Sequence, residues 1–166
     1  MPKRLIDRLR PDSIREFRAA AKERLADGLE LAGLGRRTAA IYLWGYAAEI
    51  SLKAWYFDTI HFHHDQPIRR VDLRTAAQRA NMLGSAWPGP NQFHDLAAWA
   101  DLIVAEHIAL GSPIPVIEAS KLQGSARRLH SQWREILRYH SNMAYEFELV
   151  HVREIVLWIV AAAHTS

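Results

Sequence analysis

The stretch AAIYLWGYAAEISLKAWYF, residues 39–57, decides how the chain folds. Ile41, Trp44, Ala48, Leu52 and Trp55 recur at steps of three and four residues and make one apolar helical stripe. Leu43, Ala47, Ile50, Ala54 and Phe57 make a second. A helix with two apolar faces has to be covered on both, which puts it at the centre of a bundle. Tyr42, Tyr46, Glu49, Lys53 and Tyr56 run between those faces on one polar stripe. Glu49 and Lys53 stand four residues apart in the favourable order, an ordinary pair if exposed. If the stripe is buried, desolvation forces the two charges to pair with each other or with neighbouring helices, and the bundle acquires a polar centre.

Helices are expected on both sides. Ser13 with Glu16 reads as a helix start, and Ile14, Phe17, Ala21, Leu25, Leu29 and Ala32 carry the helix to Gly33 and Gly35. Residues 58–70 read as a loop. Asp72 can cap a short helix that closes at Gly84, and a longer one is expected from about Asn91 to Leu110. A fourth runs from Ile117 to about Tyr139, with Gly124 as a point of interruption, and a last one from about Tyr145 to Ala163. Neither a strand pattern nor a repeat nor a linker interrupts this series. The expectation is one domain over residues 1–166, an all-α up-and-down bundle of four to five helices, with Trp44, Trp55, Trp99, Trp133 and Trp158 in its core.

Composition narrows the chemistry. An apolar content of 49% in 166 residues excludes a disordered polymer, and zero cysteines exclude disulfide scaffolds, thiolate nucleophiles and cysteine metal sites. The start, MPKRLIDRLRPD, lacks an apolar leader, and the longest uncharged apolar run, Ile155 to Ala163, is too short for a membrane span. A soluble cytoplasmic protein without a membrane partner is expected. The net charge is only +3, and the 17 Arg against 4 Lys suit bidentate phosphate contacts, although a GC-rich genome is the simpler explanation of that bias.

Two clusters invite a site. His61, His63 and His64 with Asp58 and Asp65 are metal-compatible in type, yet a loop lacks the i, i+4 geometry of a helical zinc motif, so no metal or cofactor is expected. In ARRLHSQWREILRYHSN, residues 126–142, Arg127, Ser131, Arg134 and Arg138 fall on one helical stripe, either a phosphate-facing ridge or a solvated basic face.

The order GYAAEISLKA (45–54), FHDLAAWADLI (93–103) and QWREILRYHSNMAYEFELVHVREIVLWI (132–159) resembles the HEPN domain superfamily. That resemblance spans most of residues 12–163 and implies a helical bundle that often dimerises, found in toxin–antitoxin and defence systems and beside small nucleotidyltransferases. Many members are metal-independent endoribonucleases that use an Arg, four to six residues and a His. Carried over, Arg134 and His140 would be catalytic, and Arg127 and Arg138 would bind RNA phosphate. Glu135 stands where catalytic members often carry a polar residue next to the Arg, and its charge would repel phosphate. On a continuous helix six steps of 100° separate Arg134 and His140 by about 120°. His140 also continues the apolar series Leu129, Trp133 and Ile136, so a packed histidine is the competing reading, which a helix break near Tyr139 would undo.

The same positions admit a non-catalytic account. Glu49, Lys53, His94, Asp95 and Arg138 would form one internal polar network that fixes helix register, and the chain would be an interaction module or RNA-binding scaffold. A nucleotide-binding subunit partnering a nucleotidyltransferase draws on the same arginines, without a Gly-rich phosphate loop to support it.

Overall fold

Helix caps lay out the chain as a helical bundle, and the computed structural model describes residues 11–89 and 91–165. Six α-helices account for most of them: α1 (Ile14–Gly33), α2 (Arg37–Thr59), α3 (Arg70–Met82), α4 (Leu96–Ala109), α5 (Val116–Gln132) and α6 (Glu146–Thr165). A 3-10 turn, Glu135–Tyr139, separates the last two, and the described residues contain no strand. None of the described helices is long and apolar enough to cross a membrane.

Ser13 starts α1 by accepting a hydrogen bond from the Glu16 backbone N–H at 3.2 Å. The helix ends with Gly35 at φ +71°, where the Arg36 N–H reaches back to Leu31 O. At the end of α2 the same closure is made without glycine. His61 takes the left-handed position at φ +57°, the Phe62 N–H bonds to Phe57 O, and the two Phe rings pack 5.2 Å apart. A non-glycine residue there costs about 1 kcal/mol or more.

α2 is buried along nearly its whole length, with α1, α4 and α6 packed around it. Buried residues from all six helices belong to one cluster, and Trp44, Trp99 and Trp133 are its largest fully buried side chains. Each contributes on the order of 4 kcal/mol of transfer free energy before entropy costs. Trp158, expected inside, is half-buried under the Lys121 ammonium, 4.6 Å from its ring.

Three boundaries differ from expectation. α3 starts at Arg70, with Asp72 inside its first turn, where the carboxylate accepts the Arg69 N–H at 2.7 Å. α4 starts at Leu96 rather than near Asn91 because the Asp95 carboxylate caps it, accepting the Ala98 N–H at 3.0 Å. α5 stops at Gln132 rather than near Tyr139. Trp133 adopts extended backbone and turns its indole inward onto α2, where the ring N–H donates to Tyr42 O at 3.0 Å. Gly45 makes this contact possible, since a Cβ there would lie 2.2 Å from the indole. Burying that ring outweighs another turn of helix, so the Arg127, Ser131, Arg134, Arg138 stripe expected on one helix is broken in the middle.

Candidate functional site

The polar stripe of α2 runs into the core. Glu49 is 1% exposed and Lys53 7%, and the Lys53 ammonium bonds directly to the Glu49 carboxylate. His94, just ahead of α4, completes the group: its Nδ1 donates to Glu49 Oε1 at 3.0 Å and Oε2 at 2.9 Å. Burial pushes the Glu49 pKa up, but the His94 hydrogen bond and the Lys53 charge outweigh it and hold the carboxyl below its ordinary value. The Glu49 hydrogen bond in turn raises the His94 pKa against the opposing effect of burial. Lys53 also faces Trp99, 5.9 Å from the ring.

The other two residues expected in this network lie elsewhere. Asp95 caps α4 and pairs with His130 at 3.3 Å, and that hydrogen bond, opposed by burial, depresses its pKa. Arg138 is exposed on the 3-10 turn, 4.7 Å from the Tyr139 ring, and interacts with the Tyr139 and Tyr42 side chains. The physical reason is saturation. Glu49 is already neutralised by Lys53 and His94, so a guanidinium would have to be dehydrated for no remaining partner.

The turn itself is tied down at both ends. Trp133 anchors its start, while after it Asn142 accepts the Thr38 N–H with Oδ1 at 3.1 Å and donates from Nδ2 to Gly35 O at 2.9 Å. Asn142 thereby caps α2 from 104 residues away. The Thr38 hydroxyl answers by accepting the Met143 and Ala144 N–H groups at 2.8 and 2.9 Å. Between these anchors Arg134, Arg138, Tyr139 and His140 are exposed. His140 is therefore not a packed core histidine. Tyr145 and Phe147, also exposed, stack with ring planes 9° apart just beyond.

Arg127 does not share this surface. From α5 it grips both oxygens of Asp101 at 2.7 and 2.9 Å. Among the described residues Arg15, Arg18, Arg24, Arg37 and Arg79 are likewise paired with carboxylates, whereas Arg134 bonds only to Trp133 O and Arg138 to tyrosines. The two arginines of the turn thus keep their charge available.

The histidine loop is held by its carboxylates: His64 hydrogen-bonds to Asp58, which also pairs with Arg18, and Arg15 pairs with Asp65. The described residues contain no group of three potential ligands placed to hold a metal ion. Sequence reasoning missed the exposed aromatics Tyr139, Tyr145 and Phe147, whose signal was their place at helix ends. It also missed the bidentate pair of half-buried Arg79 with buried Glu106, at 2.9 Å, which joins α3 to α4. Burial and the Glu106 charge push the nearby Tyr56 hydroxyl up to about 12. Comparison with family models, with curated proteins and with solved structures found no match.

Proposed function

We propose that the chain is a HEPN-like protein that binds single-stranded RNA on its Arg134–His140 turn and cleaves it without a metal, two copies meeting near their turns in a toxin–antitoxin or defence setting. One observation carries this reading: a clamped segment between α5 and α6 presents Arg134, Arg138, Tyr139 and His140 to solvent, followed by the stacked pair Tyr145 and Phe147. Unpaired guanidiniums attract a phosphate backbone and exposed aromatic faces accept stacked bases. The broken helix also removes the 120° separation that a continuous one would impose on Arg134 and His140. In cleavage Arg134 would stabilise charge on the phosphorane and His140 would transfer a proton.

A second reading, a non-catalytic module that docks a partner such as a nucleotidyltransferase, is favoured by a cleft of about 420 Å³ beside the turn, with Ile41, Leu137, Met143 and Ala144 in its wall. Incubating the purified chain with single-stranded RNA in EDTA separates the two. The RNase reading expects 2′,3′-cyclic phosphate ends from wild type and a loss of about 100-fold or more in His140→Ala, with no drop in melting temperature because the ring is exposed. Equal cleavage by both proteins removes His140 from the mechanism, and cleavage by neither leaves the docking module.

A further inference from the structure

The cleft of about 420 Å³ beside the Arg134–His140 turn has two polar side chains in its wall whose hydrogen-bonding capacity the fold does not use up. We propose that it is a pocket for one guanine base of the bound RNA, read by Glu148 and Gln132; the inference rests on the RNA-binding reading above and names the base that site prefers.

The cleft belongs to the turn. Leu137 of the 3-10 segment, Met143 and Tyr145 after it, and Gln132 at the end of α5 all line it. Leu137 stands next to Arg138 in the chain, so a base seated against it keeps its sugar and phosphate close to the exposed arginines. Tyr145 is exposed and its ring stacks on Phe147, which makes a rigid aromatic wall for a flat base. The volume lies in the range of small-ligand sites, about 300–1,000 Å³. RNA modules commonly read a splayed base in this way, by an aromatic wall and hydrogen bonds to its Watson–Crick edge.

The polar groups select the base. Glu148 Oε2 accepts the Tyr145 N–H at 2.8 Å at the start of α6, and among the described residues no partner meets Oε1. A carboxylate has about four acceptor sites and no donor, so this cap leaves most of them open. Gln132 Oε1 is buried without a hydrogen-bond partner, and its amide gains a bond by turning to a ligand in the cleft. The Thr38 hydroxyl, also in the wall, is already taken by the Met143 and Ala144 N–H groups. An apolar side chain from a partner protein would cover the carboxylate and the amide and pair neither, whereas a base edge pairs both. Of the four bases only guanine sets two donors side by side, N1–H and the N2 amino group. Adenine, cytosine and uracil each turn a lone pair toward the carboxylate next to a single donor. Glu148 therefore accepts N1–H and one N2 hydrogen of guanine, and Gln132 Oε1 accepts the other.

The test uses the full chain in EDTA with single strands that are blocked against cleavage by 2′-deoxy sugars and differ only in one central base. Wild type is expected to bind the guanine strand about tenfold more tightly than the adenine, cytosine or uracil strands, and to bind an inosine strand, which lacks the N2 amino group, more weakly than guanine. Glu148→Gln keeps an oxygen for the Tyr145 N–H, so its melting temperature should match wild type. An amide pairs with adenine as readily as with guanine, so the preference of this variant for guanine over adenine should fall below about threefold. A Glu148 that only caps α6 would not move that ratio. Gln132→Leu keeps the size of the side chain and should bring the guanine strand down to the level of the inosine strand. Wild-type affinities within about threefold for all bases, a preference for another base, or an undiminished guanine preference in Glu148→Gln would each overturn the guanine pocket and leave RNA binding standing. A wild type that binds none of the strands would overturn the RNA reading, and the pocket with it.

Discussion

The buried centre around Glu49 and the outer turn around Arg138 are both polar, both contact α2, and are built by opposite means. At the centre, Lys53 of α2 and His94 from the segment just ahead of α4 hold the buried Glu49 carboxylate. At the turn, the polar groups face water and the backbone is held by neighbours far away in sequence, through Trp133 on Gly45 and Asn142 on Thr38. The first region is stable because its charges are satisfied. The second is available because its charges are not.

Removing the anchor should break the contrast most severely. Trp133→Ala empties a fully buried site and releases the start of the turn, and a cost of about 3–5 kcal/mol is expected in urea unfolding. If the cost is below about 1 kcal/mol, the turn is not fixed by this contact. At the centre, Glu49→Gln leaves the buried Lys53 ammonium without its charged partner, at a similar cost of about 3–5 kcal/mol, whereas removing both charges with Glu49→Gln/Lys53→Met should recover most of that loss. A double variant as unstable as the single one would mean that shape rather than charge holds the centre.

Smaller effects sharpen the comparison. Asn142→Ala removes the cap on α2 and should cost about 1 kcal/mol, read by the same unfolding experiment. The His94 and Glu49 shifts bound a pH window. Glu49 is depressed on folding, so its contribution is present above its unfolded value of 4.5 and is lost as pH falls through the lower folded value. His94 is raised, so its contribution is complete below 6.5 and disappears as pH rises through the higher folded value. Stability from this centre should therefore be greatest between the two, and a flat profile from pH 4 to 8 would be inconsistent with the ionic pairing.

The two regions also differ in how far the sequence announces them. The apolar stripes of residues 39–57 already require a covered central helix, because helical periodicity is a local property, and they leave Glu49 with Lys53 either exposed or buried as a pair. His94 joins them through a contact across 45 residues, yet the three residues flank apolar runs whose packing brings them together. The end of α5 was not legible in this way. Nothing in SQWREILRY breaks a helical pattern, and the Trp133 ring that turns inward at the break fits because Gly45, far away on α2, leaves space for it. Asn142 is a similar case: its cap forms on the α2 backbone at Thr38, and a lone Asn after a helix carries no sign of that. Arg138 was misassigned for the same reason, since its place depends on a turn that periodicity does not encode.

On the proposed function, Arg134 and Arg138 hold an RNA backbone from a turn fixed to the core. The most direct measurement is the salt dependence of binding to a blocked single strand by wild type and by Arg134→Ala/Arg138→Ala. Each lost phosphate contact lowers the slope of log affinity against log salt by about 0.7 on a single strand, so the double variant should be shallower by about 1.4 and bind more weakly at low salt. An unchanged slope, or no binding by wild type, would contradict the account.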